Sequence, residues 1–205
     1  MKLAARMNRI EGSATLAVTN KAASLKAQGI DVVGFGAGQP DFDTPQHIID
    51  AAKRGLDDGW TRYTPTGGLP VLKNAIVDHV AEHFGLDVTT SEVMASCGGK
   101  HTLYNATQAL IEPGDEVLLP APYWVTYPAQ ISMAGGITRV VQAEAKNGFR
   151  VTPEAIEAAI TPKTRGLILN SPSNPTGAGY RRSDLEGIAK VVEKHNLWVI
   201  SDEMY

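Results

Sequence analysis

The sequence predicts an α/β protein built on a mostly parallel sheet with helices on both faces. Three observations predict it. Short apolar runs recur from Val93 onward, stretches with helical spacing separate them, and glycine, proline and asparagine mark nearly every junction. Parallel strands need long crossovers and must be covered on both sides, so this rhythm points to a doubly covered sheet and not to a hairpin protein.

The elements follow in order. Thr44-Pro45 offers an N-cap and a first-turn proline; Ile48, Ala52 and Leu56 then keep helical spacing until Gly59. Leu69, Leu72, Ile76, Val80 and Phe84 form a second helical stripe, ended by Gly85. The run Val93 to Cys97 reads as a strand, followed by Gly98-Gly99 and a helix from Lys100 to Ile111, after which Pro113-Gly114-Asp115 turns the chain. Further strands are expected at Glu116 to Leu119, Ile137 to Gln142, Gly166 to Asn170 and Trp198 to Ser201. Helices around Val125 to Ala134, Pro153 to Ile160 and Arg181 to His195 separate them.

Composition narrows the function. The 205 residues are 43% hydrophobic and 20% charged, with a net charge of -3. That is long enough to bury roughly 70% of the unfolded surface. Lysine and arginine are scattered among the acids, so no basic stripe suits nucleic acid or an anionic membrane. No apolar run reaches bilayer length and the start lacks an apolar leader core, so a cytoplasmic location is expected. The lone Cys97 leaves no internal disulfide and no cysteine-cluster zinc site.

Ligands of parallel sheets bind beyond the carboxyl ends of the strands, so the residues just after each strand carry the functional expectation. Gly98-Gly99-Lys100 opens a helix whose N-H groups and dipole suit a phosphate. Tyr123-Trp124 supplies a flat aromatic face. Asn174 and Tyr205 can donate to a phenolate-like oxygen, and Asp202 can pair with a cationic ring nitrogen. Phosphate, aromatic ring, ring oxygen and protonated ring nitrogen are the parts of pyridoxal phosphate. Each feature has a plainer account: a tight turn at Gly98-Gly99, core aromatics, a helix cap at Asp202, a turn at Asn174-Pro175. Their succession at consecutive strand ends favours the joint reading.

These segments resemble the class I, fold-type I aminotransferases of the aspartate aminotransferase type. The matching motifs are Ser13-Ala14-Thr15, Gly38-Gln39-Pro40-Asp41-Phe42-Asp43-Thr44-Pro45, Tyr63-Thr-Pro-Thr-Gly67, Gly98-Gly99-Lys100, Pro122-Tyr123-Trp124, Asn174-Pro-Thr-Gly177 and Asp202-Glu-Met-Tyr205. The resemblance implies a phosphate turn at Gly98, Gly99 and Lys100, and Trp124 stacked on the cofactor ring. It implies that Asn174 and Tyr205 hold the ring oxygen and that Asp202 partners the ring nitrogen. Tyr63 matches a tyrosine that reaches the neighbouring subunit's cofactor, implying a homodimer. Gly38 matches the glycine beside the substrate carboxylate, and Trp124 and Asn174 are implied to bind substrate as well. Asp202, Tyr205 and Trp124 are the residues nearest the chemistry. The resemblance further implies an N-terminal arm and start of the small domain over 1–45 and the first part of the large cofactor domain over 46–205, with the remainder beyond residue 205.

In the family, a Schiff-base lysine lies a few tens of residues past the segment matched by Asp202 to Tyr205. No lysine here stands in for it: Lys100 belongs to the phosphate turn, while Lys190 and Lys194 lie on the polar side of a helix. Two readings stay open. One is part of an enzyme exchanging an amino group between an amino acid, aspartate or glutamate first, and a 2-oxo acid. The other is a non-catalytic remnant that binds the cofactor weakly or pairs with a full-length subunit. The chain alone is expected to be inactive. Two other motifs are set aside. His79-Val-Ala-Glu82-His83 has metallopeptidase spacing but no evident third ligand, and Gly34-Phe-Gly36-Ala-Gly38 is followed by Pro40 where a dinucleotide motif needs a helix.

Overall fold

A computed structural model describes residues 2–10, 12, 14–36, 38 and 40–205. Ser13 and Gln39 of the quoted motifs lie outside the described residues. The chain divides into two compact units, Thr15–Gly98 and Met1–Ala14 together with Gly99–Tyr205.

The second of these carries the sheet. Four strands, β1 (Glu116–Ala121), β2 (Ile137–Gln142), β3 (Thr164–Asn170) and β4 (Trp198–Asp202), pair in the order β2-β1-β3-β4. Every pairing is parallel, running from Glu116↔Ile137 to Ala121↔Gln142 on one side and from Gly166↔Trp198 to Asn170↔Asp202 on the other. The carboxyl ends of all four strands therefore share one edge.

Side-chain alternation along the strands builds two separate cores. Leu118, Leu167 and Leu169 point to one face and pack with Ile156, Ile188 and Val191. Those partners belong to α6 (Pro153–Ala159) and α7 (Arg182–Lys194). Val117, Leu119 and Ile168 point the other way, to Leu103, Tyr127 and Ile131. These come from α4 (Gly99–Leu110) and α5 (Thr126–Met133). The sheet is thus covered on both faces, as expected. Gly166 is needed for close approach: a Cβ there would meet the ring of Trp198, its register partner, at 2.1 Å.

In Thr15–Gly98 the helices α2 (Gln46–Asp57) and α3 (Pro70–Phe84) fall where expected, and Gly85 ends α3 in the left-handed conformation at φ 65°. The helix α1 (Ala14–Ala27) was not foreseen. Two expectations are corrected. Thr44 does not cap α2; Pro45 takes that position, its carbonyl accepting from the N-H groups of Ile48 and Ile49. Val93 to Cys97 is not a strand: Ala95 donates its N-H to the Gly67 carbonyl at 2.9 Å, a loop partner, and strand geometry needs a neighbouring ladder.

Candidate functional site

The site is built from the segments that follow β1, β3 and β4 at the carboxyl edge of the sheet, together with the first turn of α4. Asn170 and Asp202 end neighbouring strands side by side. Asn170 Nδ2 donates to the Asp202 carbonyl at 2.9 Å, and its Oδ1 accepts from the Asn174 N-H at 2.7 Å. One side chain therefore fixes both the end of β4 and the start of the loop that carries Asn174. Ser171 N-H donates to the same Asp202 carbonyl at 3.1 Å. The loop has cis peptides at Ser171-Pro172 and Asn174-Pro175, and another precedes Pro122 after β1.

The Asp202 carboxylate is held from two sides. Tyr127 Oη donates to Oδ2 at 2.7 Å, and Met204 N-H donates to Oδ1 at 3.3 Å. Tyr127 is 1% exposed. Burial first, and then the hydrogen bond and charge of Asp202, push its phenol far above the ordinary tyrosine range. The proton therefore stays on the phenol, and Tyr127 acts toward Asp202 as a fixed donor. Asn174 Nδ2 donates to Tyr205 Oη at 3.3 Å. The expected pair for a ring oxygen is in mutual contact.

Trp124 lies edge-to-face with Tyr127, ring centroids 5.5 Å apart at 86°, and the Lys100 ammonium lies 5.0 Å from the Trp124 ring centroid. Lys100 and Gly99 form the first turn of α4, and Gly98 precedes it with φ 89°. A side chain at Gly98 would be strained by its backbone, whereas one at Gly99 would lie 3.2 Å from Met204 Cε. The α4 N-terminus thus adjoins the segment Asp202 to Tyr205.

Of the expected residues, Gly99, Lys100, Trp124, Asn174, Asp202 and Tyr205 belong to this unit, with Gly98 joined to it by the chain. Gly38 and Tyr63 belong to the unit Thr15–Gly98; Tyr63 is exposed, and Gly38 has open space where a side chain would stand. His79 and His83 stack at 4.1 Å, and among the described residues no group of three or more metal-ligating side chains forms around them. Sequence reasoning assigned no role to Tyr127, Asn170 or Gln130. Tyr127 had a signal, a phenol one helical turn beyond Trp124, and Asn170 had another, a polar side chain closing an apolar strand.

The family model for aminotransferase class I and II matches residues 30–205. The chain belongs to that family. Among curated class I and II aminotransferases it is 50% identical to the aspartate aminotransferase of Geobacillus stearothermophilus over 205 residues, which cover 100% of this chain and 52% of that protein. It is 52% identical to the aspartate/prephenate aminotransferase of Cereibacter sphaeroides over 198 residues, 96% of this chain and 50% of the relative. The aspartate aminotransferase of Thermus thermophilus solved with maleate superposes with a TM-score of 0.96 at 43% identity, covering 100% of this chain and 54% of that one. The enzyme from Rhizobium meliloti gives 0.96 at 40%, covering 100% and 52%. This aminotransferase chain spans about half the length of the relatives it matches.

Proposed function

We propose that the protein from which this chain comes transfers an amino group between an amino acid, aspartate or glutamate first, and a 2-oxo acid, with pyridoxal phosphate as cofactor. The observation that carries this reading is the Asp202 carboxylate, fixed at the end of β4 by the buried Tyr127 phenol at 2.7 Å. An acid so held suits a protonated ring nitrogen, and the other residues suit the remaining parts of the same group. Trp124 offers a ring face next to Tyr127, Asn174 and Tyr205 offer two polar groups for a ring oxygen, and Gly98, Gly99 and Lys100 offer helix N-H groups to a phosphate.

When bound, the cofactor supplies an electron sink for the carbon that loses its proton. This chain's residues prepare that role. Asp202 would hold a proton on the ring nitrogen, Tyr127 keeps Asp202 in place, and Trp124 would pack against the ring. The proton transfer itself needs a base. In the family's pattern that base is a lysine beyond the segment matched by Asp202 to Tyr205, so we assign the step to no lysine of this chain; Lys194 pairs with Glu157 on the far face of the sheet. The 205 residues alone are accordingly proposed to be inactive. The roles of Tyr63 across a homodimer, of Gly38 at the substrate carboxylate, and of a domain boundary at residue 45 belong to the same proposal. They rest on the family's pattern.

The test uses protein expressed from its complete coding sequence. Oxaloacetate should form from aspartate and 2-oxoglutarate in a coupled assay, with the cofactor's visible absorbance shifting on addition of amino acid. Absence of both signals in folded, cofactor-saturated protein would count against the reading. Activity with glutamate and prephenate would add the second substrate class named for the Cereibacter sphaeroides relative.

A further inference from the structure

Gln130 stands one helical turn beyond Tyr127 on α5, yet its amide reaches a different part of the site. Its Nε2 donates to the main-chain carbonyl of Lys100, 30 residues earlier, at 2.9 Å. Gln130 is 5% exposed, and its Oε1 is buried with no hydrogen-bond partner among the described residues. Burying an amide with one end unsatisfied opposes folding. The side chain nonetheless occupies the position, and the one bond shown for it is the bond to Lys100.

The acceptor has a special place. In a helix the N-H groups of the first turn lack intrahelical acceptors, so those of Gly99, Lys100 and His101 are the donors available to an anion. The Lys100 carbonyl and the His101 N-H belong to one peptide group. A donor placed on the carbonyl polarises that peptide and strengthens its N-H as a donor to whatever lies before the helix. The same bond ties the first turn of α4 to α5, whose Tyr127 grips Asp202.

We infer that Gln130 is a positioning residue for phosphate: through the Lys100 carbonyl it orients the first turn of α4 and polarises the Lys100–His101 peptide, while Tyr127, one turn earlier on α5, fixes the carboxylate at the other end of the site. The inference rests on the cofactor reading above and adds to it a ruler. One short helix sets the spacing between the anion seat and the ring-nitrogen partner through two hydrogen bonds to elements far apart in sequence.

The test separates the two ends of the site by ligand, using protein from the complete coding sequence freed of cofactor. 4'-Deoxypyridoxine 5'-phosphate, which cannot bond covalently to a lysine, reports both ends; inorganic phosphate, measured by its competition with that ligand, reports the seat alone. Gln130→Met keeps the volume and removes the donor. It should weaken both ligands by a similar factor, roughly three- to tenfold. Gln130→Glu, nearly isosteric, replaces the donor by an anion and should weaken both further. Tyr127→Phe should weaken the ring ligand and leave phosphate unchanged. Phosphate affinity unaltered in both Gln130 variants overturns the inference, even if their melting temperatures fall, because the residue would then be structural only. Unmodified protein that binds neither ligand overturns the cofactor reading itself, an outcome distinct from the first.

Discussion

Tyr127 and Asp202 are 75 residues apart in sequence and 2.7 Å apart in space, the phenol of one donating to the carboxylate of the other. The bond joins the buried face of α5 to the carboxyl end of β4, so a core side chain and a site side chain are one unit. Substituting either tests how far the packing of the sheet sets the chemistry at its edge.

Tyr127→Phe keeps the ring in its buried place and removes the donor. Losing a hydrogen bond to a charged group should lower kcat roughly tenfold, with a smaller change in KM, because ring orientation and not substrate binding is disturbed. Steady-state kinetics with aspartate and 2-oxoglutarate provides the measurement. An unchanged kcat would show that Asp202 needs no such support.

The same phenol predicts a pH dependence. Its acidity is suppressed in the folded protein by burial and by Asp202, while in the unfolded chain it titrates near the ordinary value of about 10. Above that pH the unfolded chain releases a proton that the folded one keeps. The unfolded state then binds fewer protons, and stability falls as pH rises. Between about pH 9.5 and 11 the melting temperature should drop more steeply in the unmodified protein than in Tyr127→Phe. Parallel slopes in calorimetric scans would contradict this.

Asp202→Ala removes the proposed ring-nitrogen partner and leaves the Tyr127 hydroxyl buried without its acceptor. Activity should fall by about a thousandfold or more, as when a preorganised electrostatic partner is lost from an active site. Asp202→Glu should recover only part of it, since the carboxylate would then stand one methylene further from the end of β4. Activity equal to that of the unmodified protein would remove Asp202 from the mechanism.

Gly166→Ala tests the sheet itself. The added methyl would fall within 2.1–2.3 Å of three Trp198 ring carbons, so β3 and β4 would have to shift or the indole to leave its place. A loss of about 2–3 kcal/mol is expected from urea denaturation. A second change, Trp198→Leu, should recover part of that loss, and strict additivity of the two would argue against direct contact.

Much of the fold was legible because its signals are local. The apolar runs at Glu116, Ile137, Gly166 and Trp198 each became a parallel strand, and the helical stripes between them became α5, α6 and α7. Val93 to Cys97 misled because a run of suitable residues is a strand only when another strand lies beside it, which its own composition cannot report. The site divides in the same way. Asp202, Trp124, Asn174 and Tyr205 stand in contiguous motifs that follow strands, so their place at the carboxyl edge of the sheet could be expected. The groups that hold them could not. Tyr127 looks like any core aromatic and Gln130 like any helix amide until the fold brings them to Asp202 and to the Lys100 carbonyl.

The strict alternation of β1 and β3 between two cores has a consequence for how such a protein can change. Leu118 and Leu167 face the side of α6 and α7, while Val117, Leu119 and Ile168 face the side of α4 and α5, where Tyr127 and Gln130 do their holding. A mutation that loosens the first side spends stability without reaching the helix that aligns the site; one on the second side moves both together. Substitutions on the α6 and α7 face should therefore register in stability alone, and those on the α5 face in stability and in the proposed cofactor site together.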